Sequence, residues 1–272
     1  MTYILEVLDV HFSYPGGVVA LRGAFLKARK GEVVAITGPN GCGKTTLLLI
    51  ASGLLKPDKG RVLFDGTPLD EQLPQARKRI GLVFQNPDDQ IFNSTVYDEI
   101  AFALRQLELK EEEIAERVEE IAEKLGIDSI LKRPPYRLSL GEKKKVALAF
   151  ILVYEPELVL LDEPTANLSY KTVNEVEYII SELQREGKTV IVASHDVNFI
   201  ARVADTVYVL SAGRVVGFGE ARKILLDRDL LSKAELAPPL IARVAELLFD
   251  KENPFPLTLE ELAEKLQKLK HK

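Results

Sequence analysis

The sequence predicts an α/β fold: a mostly parallel sheet core, interrupted by a helical insert and followed by a helical tail. Three observations predict it. The strand-like GEVVAITG at 31–38 passes through a glycine-rich turn straight into the helical run TTLLLIASGLL. After a charge-rich helical stretch, apolar strands return as LVLLDEP at 158–164 and TVIVASHD at 189–196. From about residue 220 to the end the pattern is helical.

Each element has its own reason. YILEVLDVHFSY at 3–14 reads as the opening strand, RVLFDG at 61–66 as a short strand closed by Asp-Gly, and IGLVFQ at 80–85 as a further buried strand. Residues 95–126 read as mostly helical, because Ile114, Val118, Ile121 and Leu125 share one helix face. Gly126 suits the C-cap. In LSLGEKKKVALAF at 138–150, Ser139 and Glu142 have the spacing of an N-cap and its N3 partner. The unpaired N–H groups at such a helix start attract an anion. The three lysines that follow, Lys143 to Lys145, read as a solvated helix face. Glu155-Pro156 ends that helix. Beyond it come a strand, a helix over 172–186, a strand, a helix over 197–204 and the hairpin-like pair TVYVLSAGRVV. Thr258 and Glu261 repeat the capping spacing before LEELAEKLQKL. The division expected is a core over 1–220, with its helical insert at about 86–155, and a C-terminal helical extension over 221–272.

Bulk properties narrow the function. At 272 residues and 46% apolar content, the chain can bury a sizeable core. Its net charge of −5 argues against a general nucleic-acid binder. The longest unbroken apolar stretch, Val146 to Val153, is too short to span a bilayer, and the N-terminus carries no signal-peptide pattern. The single cysteine, Cys42, allows no intrachain disulfide and suits a reducing compartment.

Two motifs carry chemistry. GPNGCGKT at 38–45 fits G-x-x-x-x-G-K-[ST], with the strand before it and the helix after it that the motif requires. Its glycines let backbone N–H groups curl around phosphate oxygens. Lys44 is placed to reach the β- and γ-phosphates of a nucleotide, and the Thr45 hydroxyl to ligate Mg²⁺. The pattern predicts a P-loop NTPase core. LVLLDEP then puts Asp162 at the carboxyl edge of a buried strand, where it can hold Mg²⁺ through water. The adjacent Glu163 is the natural general base for water attacking the γ-phosphate. His195 follows a strand expected to lie beside those ending at Gly38 and Asp162, so a γ-phosphate contact is expected of it. Gln85 stands where core meets insert and could orient water or metal. The Tyr14 ring could stack on a base or pack on the surface.

Tyr14, GPNGCGKTT, Gln85, LSLGE, LVLLDEP and His195 occur in that order, and the whole set resembles the ATP-binding subunit of ABC transporters. The resemblance covers essentially residues 3–220. It implies a RecA-like core with an antiparallel β subdomain, ATP and Mg²⁺ as ligands, and ATP hydrolysis as the activity. It also implies site roles. Tyr14 would stack on adenine. The Walker A loop would run through Gly38, Pro39, Asn40, Gly41, Cys42, Gly43, Lys44, Thr45 and Thr46. Gln85 would be the Q-loop glutamine, with a place on the metal. Asp162 and Glu163 would be the Walker B acid and base, and His195 the switch histidine. Asn167, Leu168 and Ser169 would form the D-loop. Ser139, Leu140, Gly141 and Glu142 would form the signature that faces the ATP of a second subunit.

A narrower resemblance rests on VFQNPDDQIF at 83–92, GEKKKVALA at 141–149 and APPLIARVAELL at 237–248. These look like the ATPases of energy-coupling factor transporters, the group that includes cobalt importers' ATP subunits. That likeness implies uptake of a vitamin, or of nickel or cobalt. The implied partners are a transmembrane coupling protein, a substrate-binding membrane protein and a second ATPase subunit, identical or a paralogue. The chain would then sit on the cytoplasmic face of the membrane, held there by its partner, with the tail helping to join two ATPases. Two positions depart from the family pattern: Leu140 replaces a glycine and Ser169 an aspartate. They suggest a catalytically weakened partner subunit as an alternative. A soluble ABC ATPase of DNA repair or ribosomes is the other, although no coiled-coil insert or second nucleotide domain is visible.

Overall fold

Two sheets carry the fold in the computed structural model, which describes residues 2–249 and 255–270. The strands are β1 (Tyr3–Tyr14), β2 (Val18–Arg29), β3 (Val33–Thr37), β4 (Lys59–Phe64), β5 (Thr67–Pro68), β6 (Ile80–Val83), β7 (Leu158–Asp162), β8 (Thr189–Ala193), β9 (Thr206–Ser211) and β10 (Arg214–Glu220). One sheet runs β2-β1-β4-β5 and is antiparallel. The other runs β10-β9-β3-β8-β7-β6, parallel except for the edge strand β10. The expected α/β class, with a mostly parallel core and an antiparallel β portion, is borne out.

The helices are α1 (Lys44–Ala51), α2 (Leu69–Gln72), α3 (Val96–Gln106), α4 (Glu111–Leu125), α5 (Leu140–Leu152), α6 (Tyr170–Arg185), α7 (Val197–Val203), α8 (Ala221–Leu226), α9 (Arg228–Lys233), α10 (Leu240–Leu248) and α11 (Leu259–Lys270). Of the predicted tail, residues 250–254, 271 and 272 lie outside the described residues.

Strands β3, β7 and β8 are buried at every residue, which explains their continuous apolar sequence. Their side chains divide between two cores. Val33, Ala35, Val159, Leu161, Val190 and Val192 face the core built with α3 to α6. Val34, Ile36, Leu158, Leu160, Ile191 and Ala193 face the core shared with α1 and the antiparallel sheet. The sheet is thereby fixed from both sides, and its carboxyl edge holds the loops that follow β3, β6, β7 and β8.

Some boundaries differ from the sequence reading. Helix α1 stops at Ala51 rather than Leu55, because Gly53 takes a left-handed φ of 75°. Gly53 N–H donates to Ile50 and Leu54 N–H to Leu49, the Schellman pattern that closes a helix. The helical stretch 95–126 is two helices, α3 and α4, and α4 ends on Gly126 at φ 63° as expected. Helix α5 stops at Leu152, before Glu155-Pro156, where Glu155 adopts φ 54°. Strand β6 ends at Val83, so Phe84 and Gln85 lie beyond it.

Candidate functional site

The glycine loop follows β3 directly. At Gly38, with φ 153°, an added Cβ would lie 2.0 Å from the Leu210 carbonyl oxygen; at Gly43, with φ 109°, 2.7 Å from that of Ala20. No other residue fits at these two points without moving backbone. Lys44 opens α1 and is buried, and its Nζ donates to the carbonyls of Gly38 and Pro39 at 2.9 and 3.1 Å. The ammonium thus lies inside the loop's own curl and 3.8 Å from Glu163 Oε1. Cys42 packs into the core beneath the loop, and burial pushes its thiol pKa up. That keeps it a neutral thiol rather than a reactive thiolate.

Tyr14, at the end of β1, is placed beside this loop. Its hydroxyl lies 3.1 Å from Thr46 Oγ1, and its ring meets Phe12 edge-on at 5.0 Å.

Asp162 ends β7 and is 2% exposed. Burial raises its pKa, opposed first by a hydrogen bond from Thr45. Its Oδ1 is buried without a hydrogen-bond partner among the described residues. Such an oxygen normally has a partner. Thr45 and Asp162 together are hard oxygen donors of the kind Mg²⁺ takes, one hydroxyl and one carboxylate beside a phosphate cradle. The donor set fits that ion.

Glu163 is held more tightly still. Its φ of 43° lies in the left-handed region, a strain of about 1–3 kcal/mol for a residue with a Cβ. Its N–H donates to the Ala193 carbonyl at 2.8 Å, and its carbonyl accepts from Lys144 Nζ at 3.1 Å. Its carboxylate accepts from Ser194 Oγ at 3.3 Å and from the His195 backbone N–H at 3.2 Å, and Oε1 lies 2.9 Å from His195 Nδ1. The His195 side chain is 54% exposed, so the ring reaches from the buried carboxylate to the surface. The expected adjacency holds: β8, which delivers His195, lies between β3 and β7.

Lys44, Asp162, Glu163 and His195 therefore share one crevice at the sheet's carboxyl edge. Gln85 reaches that crevice by its backbone: its carbonyl accepts from Lys144 Nζ at 2.5 Å, and the residue itself is exposed.

Lys144 corrects the sequence reading of the lysine triplet. It is 2% exposed, on the buried side of α5 with Leu148 and Ile151. Burial lowers its pKa, against the raising influence of Asp162 and Glu163. Lys143 and Lys145 are not freely solvated either: they pair with Asp88 and Glu175, each at 2.6 Å. The signal lay in the spacing, since a lysine four and seven residues before buried apolar positions falls on the apolar stripe. Ser194 was also missed, for want of any motif around a lone serine.

The signature segment lies apart. Ser139 caps α5 in a full capping box: Ser139 Oγ accepts from Glu142 N–H at 3.3 Å, and Glu142 Oε2 accepts from Ser139 N–H at 2.8 Å. The Ser139 hydroxyl, donating to Glu142 Oε2 at 2.7 Å, and then the Ser139 N–H hold the Glu142 carboxyl below its ordinary pKa. Leu140 is the first helical residue and is 37% exposed. Its backbone is helical, so the place demands no glycine. Gly141 differs, since a Cβ there would meet Thr172 Oγ1 at 3.3 Å. Asn167 has φ 61°, a conformation asparagine tolerates, and Leu168 packs against the core. Ser169 caps α6, accepting from Thr172 N–H at 3.3 Å. An Asp-to-Ser change retains that capping role.

Comparison with known proteins identifies the crevice's relatives. Residues 21–166 match the family model described as ABC transporter. The energy-coupling factor transporter ATP-binding protein EcfA of Methanocaldococcus jannaschii is 41% identical over 254 residues, covering 92% of this chain and 91% of that one. EcfA of Methanothermobacter thermautotrophicus is 45% identical over 248 residues, covering 90% and 79%. Among solved structures, CbiO1 of Clostridium perfringens, described as part of the ABC transporter complex CbiONQ, is 38% identical with a TM-score of 0.77. It covers 91% of this chain, and this chain covers 99% of it. An ATP-binding cassette solved as a dimer after hydrolysis, bound to ADP and Pi, is 29% identical with a TM-score of 0.74, covering 80% of this chain and 99% of that one. The chain belongs to the ABC transporter family and is an ATPase of it, similar to energy-coupling factor ATP-binding proteins and to CbiO1.

Proposed function

We propose that this ATPase powers an energy-coupling factor importer, taking up a vitamin or a transition-metal ion such as cobalt or nickel through membrane partners. The observation that carries the catalytic part is the Lys44–Glu163–His195 cluster beside Asp162. Glu163 serves as general base, its carboxylate oriented by Ser194, the His195 backbone and the His195 ring. Lys44 and the glycine loop bind the phosphates, and Tyr14 carries the adenine. Thr45 and Gln85, with Asp162 through water, would hold Mg²⁺, which would screen charge on the phosphate oxygens. His195 bridges from the base to the γ-phosphate.

Ser139, Gly141 and Glu142 then serve the ATP of a second subunit, beside Leu140, with Asn167 to Ser169 at the same contact. Residues 1–220 form the ATPase domain, and the insert at about 86–155 meets the transmembrane coupling protein. The extension over 221–272 supports the pairing of two ATPases. Its small separate core of Ala245, Phe249 and Leu262, with Leu247 87% exposed beside it, favours that reading. Among the described residues, no helix is long and apolar enough to cross a membrane, consistent with attachment to the cytoplasmic face through the partner.

The test is Glu163→Gln. Loss of a general base lowers turnover by about 10²–10⁴-fold while ATP binding persists. Hydrolysis at the parent rate would overturn the base assignment. Purification of the chain from its own membranes checks the transport reading, which requires two distinct membrane proteins to accompany it.

A further inference from the structure

Lys144 has no role in the site as proposed above, yet it touches two of its parts. It stands one turn into α5, the helix that the signature opens. Its buried ammonium donates to the Gln85 carbonyl at 2.5 Å and to the Glu163 carbonyl at 3.1 Å. One side chain thereby ties the signature helix, the loop after β6 and the strand end that carries the base. The neighbouring lysines extend the same connection: Lys143 to Asp88 in the loop after β6, and Lys145 to Glu175 on α6, beyond the D-loop segment.

The bond to Glu163 falls where the chain is strained. At φ 43° a residue with a Cβ stays left-handed only if its surroundings over-determine it. Three bonds do so here. Ala193 accepts from the Glu163 N–H, and the Glu163 carbonyl accepts from Lys144 Nζ at 3.1 Å and from the Ala166 N–H at 3.2 Å. Without the Lys144 bond, that carbonyl keeps only the Ala166 N–H, and the backbone beneath the carboxylate is less tightly fixed.

We propose that Lys144 is a positioning residue for hydrolysis, which fixes the backbone of Glu163 and passes movements of Gln85 and the signature helix to the base. This rests on the reading of Glu163 as general base. The proposed phosphate and adenine contacts, the glycine loop and Tyr14, make no bond to Lys144, whose link to the metal position runs only through the Gln85 backbone carbonyl. The substitution therefore acts chiefly on kcat and not on affinity.

The test uses the purified full chain with Lys144→Met, Lys144→Gln and Glu163→Gln, each alone, and Lys144→Met combined with Glu163→Gln. Steady-state kcat and KM for ATP, binding of a fluorescent ATP analogue and the thermal midpoint are measured. Lys144→Met lowers kcat by about 10–100-fold, the scale of a misplacement of roughly 1 Å, with KM and analogue binding within about twofold of the parent. Lys144→Gln, whose amide offers two N–H donors, recovers part of kcat at the same KM. In the Glu163→Gln background, Lys144→Met lowers the residual rate no further, because both changes disable one unit. Parent-like kcat in Lys144→Met overturns the proposal, as does a multiplicative loss in the double variant. A fall in kcat that tracks weaker analogue binding and a lower thermal midpoint in both Lys144 variants also overturns it. Parent-like turnover in Glu163→Gln alone would instead strike the base assignment.

Discussion

Lys44, Asp162 and Glu163 are 2–7% exposed, Lys44 opening α1 behind the glycine loop and the two acids at the end of β7, a strand packed on both faces. Ser139, Leu140 and Ser169 stand at helix starts on the surface, ordered by bonds that span three residues of sequence. The first region is fixed by the tertiary core, so its atoms have few alternatives and changes there are felt widely. The second is fixed by local caps, so it keeps its shape alone and can be presented to a second subunit. Variants that differ only in which region they touch put this contrast to measurement.

The largest stability effect belongs to the core-fixed region. Gly38→Ala puts a methyl 2.0 Å from the Leu210 carbonyl oxygen, at a φ that alanine avoids. Overpacking and left-handed strain together cost about 3 kcal/mol. Urea unfolding measures it, and nucleotide binding should fall as the loop shifts. A loss below about 1 kcal/mol would mean that the loop adapts, and the contrast with the signature would weaken.

Ser139→Ala is expected to cost about 1 kcal/mol, the worth of an N-cap, while leaving the geometry around Glu163 intact. The effect has a pH signature. The folded-state pKa of Glu142 is depressed, so its contribution to stability is present above the ordinary carboxyl range and is lost as pH falls through the folded value. The parent and Ser139→Ala therefore converge in stability as the medium is acidified. Thermal midpoints recorded from neutral pH downwards check this. A gap that widened in acid would refute the assigned cap.

What the sequence disclosed follows the same division. The glycine loop, Asp162 and Glu163 were readable because a motif, a buried strand and a strand end coincide there, and local caps were readable because their partners are three residues apart. Strand β2 was not. Its buried residues Leu21, Ala24, Leu26 and Ala28 break the two-residue period at Gly23, where the pairing with β1 shifts register. Lys144 was misread because a charge among charges suggests solvent, and only the packing of Gln85 and Glu163 around it shows two carbonyls in reach. Contacts across 59 and 19 residues leave no local pattern.

Leu140→Gly should have the smallest effect, and it bears on whether this ATPase is a weakened one. Through the backbone, the departure from glycine at this place would impair the surface only if it needed a conformation leucine cannot take. It does not: Leu140 is the first residue of a regular, capped helix. Glycine there gains no favourable geometry and loses helix propensity, at most about 1 kcal/mol. ATP turnover of the assembled pair should therefore stay within about twofold of the parent, on a scale where tenfold equals roughly 1.4 kcal/mol. A rise of tenfold or more would show that Leu140 obstructs the partner's nucleotide, and would turn the surface region from a tolerant display into a deliberate brake.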